Sequence, residues 1–208
     1  ALENEPTLSL AGGSVGSGTG SGGGSATIWT YTFTPTSADQ AVTINVAAAA
    51  ITDAAGNDNT AAATQFAFTH DATAPTITTV AVAGATEDGY GVASTYVVTI
   101  TPSETLSAVP TLTVTGGSIT TAGAASNANY VYTVTPSDAD EAMTVVVAAG
   151  GAADSAGNTN TAASNNFGWT HDATAPTVVI TTSDVSTGGS HNGATTMIIT
   201  FSEEMTGI

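Results

Sequence analysis

The sequence predicts an all-β protein made of tandem Greek-key β-sandwiches, about seven strands each, and three observations carry that expectation. Residues 66–78, FAFTHDATAPTIT, return almost letter for letter at 167–179 as FGWTHDATAPTVV. Short segments alternate apolar and polar residues with a period of two, the spacing of a half-buried strand. Turn residues separate these segments, and no amphipathic helical period interrupts them.

The repeat is regular. His70 and His171 lie 101 residues apart (171 − 70), and the same offset links Tyr31 to Tyr132, Pro35 to Pro136, Asp53 to Asp154, Asn57 to Asn158, Asp71 to Asp172 and Pro75 to Pro176. An offset held at many positions marks tandem copies of one folded unit. A period of this length is that of an ordinary domain.

Read in order, the second copy supplies strands A at 76–82, B at 96–101, C at 111–114, D at 118–121, E at 130–135, F at 143–148 and G at 166–170. In NYVYTVTP, Tyr130, Tyr132 and Val134 share one face; in TIWTYTFTP of the first copy, Trp29, Tyr31 and Phe33 do the same. VTINV and MTVVV are short apolar runs, as in strands covered on at least one side. Pro35 and Pro136 close their strands, while Pro75 and Pro176 open theirs, at ends where a missing N–H does little harm. GGS at 116–118 turns C into D, and DSAGN at 154–158 turns F into G through Asx-type hydrogen bonding around a Gly.

Composition excludes several function classes. The 208 residues include no Lys, no Arg and no Cys, against 17 acidic residues. Nucleic acid and anionic membrane surfaces are excluded as partners, because phosphate recognition needs cationic side chains. No disulfide or thiolate metal site exists, and self-repulsion is relieved only by bound cations or screening. With 41% hydrophobic and 8% charged residues, the chain has enough apolar content to fold. No apolar run reaches spanning length and no basic leader is visible, so membrane insertion is not expected; a first residue other than Met fits a mature or excised chain.

ITDAAGNDNTAA…FTHDATAPT and the later TAPTVVITTSD…TFSEEMTG resemble bacterial immunoglobulin-like domains, which are strung in tandem through large surface adhesins and extracellular fibrous proteins. The resemblance covers nearly all the chain outside the Gly/Ser stretch at 12–25. It implies immunoglobulin-like sandwiches in an extracellular or cell-surface setting, and stalk junctions rigidified by Ca2+. It is specific for fold and weak for function, since the fold hosts many tasks.

The frame of the repeat is offset from that of the chain. EPTLSLAGGSV (5–15) matches VPTLTVTGGSI (109–119), which is C running into D, so the first unit has C to G without A and B. TAPTVVITTSDV…TTMIITFSEE (174–204) matches 73–104, which is A and B alone. The expected organisation is an incomplete sandwich at 1–71, a complete one at 72–171, and at 172–208 an A–B strand pair belonging to another unit. Two arrangements fit. In one, the pair completes the first unit of a neighbouring copy, and strand complementation propagates head to tail into a filament. In the other, the chain is a window of a longer tandem polypeptide.

The B–C and F–G loops share the pole at which strand A enters. Asp71, Glu104, Asp154 and Asn158 are therefore expected to meet at one junction; Asp172, Glu203 with Glu204, Asp53 and Asn57 are their counterparts at the next. Carboxylates with an amide carbonyl suit a hard cation such as Ca2+. The plainer alternative is that Asp-x-x-Gly-Asn is a self-bonded turn needing no metal.

Other features point to structure rather than chemistry. One His per junction (His70, His171) is a poor transition-metal site, and Trp29, Trp169, Phe66 and Phe68 are expected in or near the core. The Gly/Ser run lacks the Lys and the helix of a phosphate loop. No Asn-x-Ser/Thr sequon occurs, whereas exposed Ser and Thr leave O-linked glycans as chemically available partners. A catalytic triad needs a His set among a nucleophile and an orienter, and a His in a repeated linker does not suggest one. The expected function is a structural subunit of an extracellular fibre or stalk, partnered by copies of itself; the alternative is the stalk of an adhesin that binds a glycan or a surface.

Overall fold

The computed structural model describes residues 5–21, 27–60, 65–126 and 129–205. Part of the Gly/Ser run (22–26) and the outermost residues of the expected first and last units lie outside them. The described residues form strands and no helix. In the first segment these are β1 Ser9–Ala11, β2 Gly13–Val15, β3 Thr19–Ser21, β4 Ile28–Thr30, β5 Phe33–Pro35, β6 Asp39–Asn45 and β7 Phe66–Asp71. The middle segment contributes β8 Ile77–Ala83, β9 Tyr90–Gly91, β10 Tyr96–Pro102, β11 Leu112–Thr115, β12 Gly117–Ser126, β13 Asn129–Pro136, β14 Asp140–Val147 and β15 Phe167–Asp172. A hairpin of β16 Val178–Thr182 and β17 Met197–Phe201 follows.

The middle segment is an immunoglobulin-like sandwich. One sheet runs β12-β13-β10-β8 and the other β11-β14-β15-β9, which in strand letters is D-E-B-A facing C-F-G. Pleating sends alternate side chains inward: Tyr96, Val98 and Ile100 from β10, Tyr132 and Val134 from β13, and Val145 and Val147 from β14 are almost wholly buried. Trp169 of β15 closes the core edge-to-face against Tyr96, with ring centroids 5.0 Å apart. Beside it the Tyr96 hydroxyl and His171 Nδ1 lie 2.7 Å apart, so both buried polar tips are paired.

The Tyr132 hydroxyl donates to the Pro110 carbonyl, and the Tyr31 hydroxyl repeats that bond to the Pro6 carbonyl at 2.8 Å. Burial, then the neighbouring Tyr130, pushes the Tyr132 phenol up to about 12.

Two features depart from the sequence reading. Strand D extends to Ser126, because β12 stays paired with β13 through two register shifts. The short β9 lies parallel to β15, with Thr170 opposite Tyr90; a two-residue strand without alternation leaves no trace in the hydrophobic pattern.

The first segment holds the C-F-G sheet, β1-β6-β7. TIWTYTFTP, expected as one strand, is broken: β4 pairs with β3, β5 pairs with β2, and Tyr31 and Thr32 between them are unpaired to any strand. The equivalent β13 runs unbroken because β10 bonds its other edge from Tyr96 to Ile100. No such neighbour is present for residues 28–35. Among the described residues before Asp71, Val42 is the one fully buried large apolar side chain.

Candidate functional site

The linker, the end of strand B and the F–G turn meet at one end of the middle sandwich. β7 delivers Asp71 into the linker, and Glu104 follows the end of β10. An isolated bridge between Leu106 and Asp154 ties the B–C segment to the F–G turn, as does the Ser107 N–H donating to the Ala153 carbonyl at 2.8 Å. One carboxylate oxygen from each of Asp71, Glu104 and Asp154 lies within 4.8 Å of the others. Oxygens bound to one Ca2+ at about 2.3–2.6 Å are no more than about 5 Å apart, so the spacing fits a single hard cation.

The turn itself is hydrogen-bonded without metal. Asp154 Oδ1 accepts from the N–H groups of Ala156, Gly157 and Asn158 at 2.9, 2.7 and 2.9 Å. Its Oδ2 accepts from Asn158 Nδ2 at 2.8 Å, which leaves one lone-pair direction on that atom for a cation. Gly157 has φ +96°, a conformation that disfavours a side chain at this corner. Burial raises the Asp154 carboxyl, but the bonds from Asn158, Gly157 and Ala156 outweigh it and hold the group below its usual value. Asn158 also donates to the Asp71 carbonyl at 3.1 Å, fastening the linker to the turn.

Glu104 behaves as a surplus negative charge. Burial first, then Asp71, Asp154 and Asp39, raise its carboxyl above the usual range. Asp39 is the residue that sequence reasoning missed. It sits opposite Asp71 on the β6–β7 pair and lines, with Asp71, Thr73, Ser103 and Glu104, a cleft of about 430 Å3. The Thr73 hydroxyl donates to Asp39 Oδ2 at 2.6 Å, and that bond leads in holding Asp39 below its usual value. The signal was present: Asp39 and Asp140 share the 101-residue offset (140 − 39).

The second set of predicted ligands is not assembled within the chain. Asp53 and Asn57 repeat the turn, with Asn57 N–H and Nδ2 donating to Asp53 at 2.8 and 3.0 Å, and the Asn57 side chain chiefly lowers the Asp53 carboxyl. Asp172 caps its linker through the Thr174 N–H at 3.2 Å. Among the described residues, no group of three ligating side chains includes Asp172, Glu203, Glu204 or Asp53.

A second feature is apolar. Leu8, Val15, Trp29, Tyr31, Phe33 and Ile44 line a groove of about 470 Å3 on the first segment. Phe66 and Phe68, expected near the core, are 63% and 38% exposed. Phe68 occupies the position of Trp169, and the strand that brings Tyr96 onto Trp169 has no counterpart against Phe68. The β16–β17 hairpin is equally uncovered: Met197, Ile199 and Phe201 are 66%, 54% and 39% exposed, whereas their equivalents Val98, Ile100 and Pro102 are buried, the alignment being set by Ser202, which bonds Thr177 as Ser103 bonds Thr76.

Two sheets in D-E-B-A and C-F-G order and a turn repeated at Asp53 and Asp154 define the fold of the repeat. Residues 4–70 match the family model of the bacterial Ig-like domain. The matched span is the segment carrying the groove, and the middle sandwich is related to it by the 101-residue offset. Bacterial Ig-like domains commonly occur in surface or extracellular proteins and are typically non-enzymatic, and such a domain suggests a surface or structural protein. No curated protein and no solved structure matches the chain. Among the described residues no helix is long and apolar enough to cross a membrane.

Proposed function

We propose that this chain is a structural subunit of an extracellular fibre or stalk, joined head to tail by strand complementation between immunoglobulin-like units. The observation that carries the reading is the paired exposure just described: an apolar groove where strands A and B belong, and an A–B hairpin whose inward side chains lie in solvent. A two-stranded hairpin alone is marginal in water. An open sheet edge over an apolar groove is a template for added strands. The contact joins two different surfaces, so it propagates instead of closing. No catalytic role is assigned.

A second reading is favoured by the acidic junction: Ca2+ held by Asp71, Glu104 and Asp154, with the Asn158 amide oxygen, stiffens the link between sandwiches, as in the stalk of an adhesin that binds a glycan or a surface. When bound, the ion neutralises carboxylates that no Lys or Arg balances; the protein residues fix the linker against the F–G turn. In a filament, Asp172 and Glu203 of one copy would meet Asp53 and Asn57 of the next in the same arrangement. Exposed Ser and Thr remain open to O-linked glycans.

Sedimentation velocity and electron microscopy of the purified chain test the proposal. Concentration-dependent filaments are expected. A monodisperse monomer at micromolar concentration, with amides of 28–35 protected as strongly as those of 129–136, would end it.

A further inference from the structure

The middle sandwich contains the contact that the groove and the hairpin lack, and its register is known residue by residue. On β10 and β13, Tyr96 faces Val134, Val97 faces Thr133, Val98 faces Tyr132, Thr99 faces Val131 and Ile100 faces Tyr130. Ser202 bonds Thr177 as Ser103 bonds Thr76, so adding 99 to the β10 positions gives residues 195–199, and subtracting 101 from the β13 positions gives residues 29–33. We infer that β17 of a second copy, with the two residues before it, adds antiparallel to residues 29–33 in one register: Thr195 opposite Phe33, Thr196 opposite Thr32, Met197 opposite Tyr31, Ile198 opposite Thr30 and Ile199 opposite Trp29. This rests on the strand-complementation reading and specifies the partner and its alignment.

Three observations besides the arithmetic support that alignment. The parity agrees on both sides: Trp29, Tyr31 and Phe33 are half-buried toward the groove while Ile28, Thr30 and Thr32 are exposed, and Met197, Ile199 and Phe201 hold the positions of buried residues. A slip of one residue would turn every inward side chain of β17 to solvent. The break at Tyr31–Thr32 also falls in the middle of the proposed pairing, where β10 bonds the free edge of the equivalent Tyr132 and Thr133 and β13 runs unbroken. Finally, β17 is already paired with β16 along its whole length, Val178 with Phe201 through Thr182 with Met197, so its other edge is the one presented to the groove. The hairpin thus enters as a preformed B–A pair, restoring the D-E-B-A order of the middle sheet.

The chain contains no cysteine, so an introduced pair reports alone. Two full-length double variants place thiols on the exposed face in the inferred register, Thr32→Cys with Thr196→Cys and Thr30→Cys with Ile198→Cys. Two crossed variants, Thr30→Cys with Thr196→Cys and Thr32→Cys with Ile198→Cys, are displaced by two residues. Val97→Cys with Thr133→Cys, within the middle sandwich, calibrates disulfide formation for the same geometry. After mild oxidation of assembled protein, matched pairs should give reducible intermolecular ladders at least about tenfold stronger than crossed pairs, since opposed Cβ atoms are about 5 Å apart and diagonal ones about 7–8 Å. Filaments whose crossed pairs link as well as or better than the matched ones would overturn the register while leaving strand complementation standing. Filaments in which neither set links, although the calibrating pair does, would overturn it as well. Absence of filaments from the unsubstituted chain would remove both.

Discussion

Replacing Ile199 with Ala should cripple assembly while leaving the subunit folded. In the single chain Ile199 is 54% exposed and its equivalent Ile100 is 0% exposed, so completing the sandwich buries the exposed half of the side chain. Full burial of such a side chain stabilises by about 1.5–3 kcal/mol, and the transfer part of this contact is therefore about 1 kcal/mol. Truncation also leaves a void beside Trp29, and large-to-small changes at core positions cost about 2–5 kcal/mol in total. A net loss of about 2–3 kcal/mol per contact raises the critical concentration for assembly about 30- to 150-fold. Ile198→Ala is the comparison, because its equivalent Thr99 lies on the outward face between the buried Val98 and Ile100 and stays partly exposed in the finished sandwich; it should change that concentration by less than about fivefold. Pelleting across a concentration series measures both. Equal effects of the two substitutions, or none from Ile199→Ala, would refute the assignment of inward and outward faces.

The remaining predictions concern the junction and the middle sandwich. Glu104→Gln should melt higher than the unsubstituted chain in chelator, because it removes a carboxylate crowded by Asp71, Asp154 and Asp39, and should lose the rise in melting temperature that added Ca2+ gives the parent. For the parent, that Ca2+-dependent rise should fade as pH falls through the raised Glu104 value, above the usual 4.5, since the protonated acid is a poor ligand. Asp154 has the opposite sign: its folded value is depressed, so its stabilisation is complete above the usual 3.8 and is lost as pH drops through the folded value. Asp154→Asn should flatten the acid limb of a pH-dependent melt below 3.8. Asn160 is 2% exposed and bonds the Ala152 N–H and the Ala148 and Ala162 carbonyls at 2.8, 2.9 and 2.8 Å; Asn160→Ala orphans these groups and should cost about 3–5 kcal/mol in a denaturant melt.

How much of this was legible in the sequence depends on whether a feature repeats. The 101-residue offset and the period-two faces locate every strand of the middle sandwich that exceeds two residues, because each has an inward face to fill. The convergence of Asp71, Glu104 and Asp154 followed from strand order alone, since alternate loops of a sandwich share a pole. Asp39 was missed because it sits mid-alternation at the start of a strand, where an acid looks solvent-facing; its place opposite Asp71 is a matter of register. The break at Tyr31–Thr32 and the exposure of Phe68 were illegible for another reason. Local pattern specifies a strand E and a core aromatic in both copies, and it is the missing neighbour, a tertiary fact, that separates Phe68 from Trp169.

An electron cryo-microscopy reconstruction of assembled protein, at a resolution that separates strands, tests the central claim most directly. The account predicts a hairpin from the adjoining copy lying along residues 28–35, with Ile199 opposite Trp29, Met197 opposite Tyr31 and a four-stranded D-E-B-A sheet in every unit. A groove closed by its own chain, or residues 178–201 projecting into solvent between subunits, would contradict it.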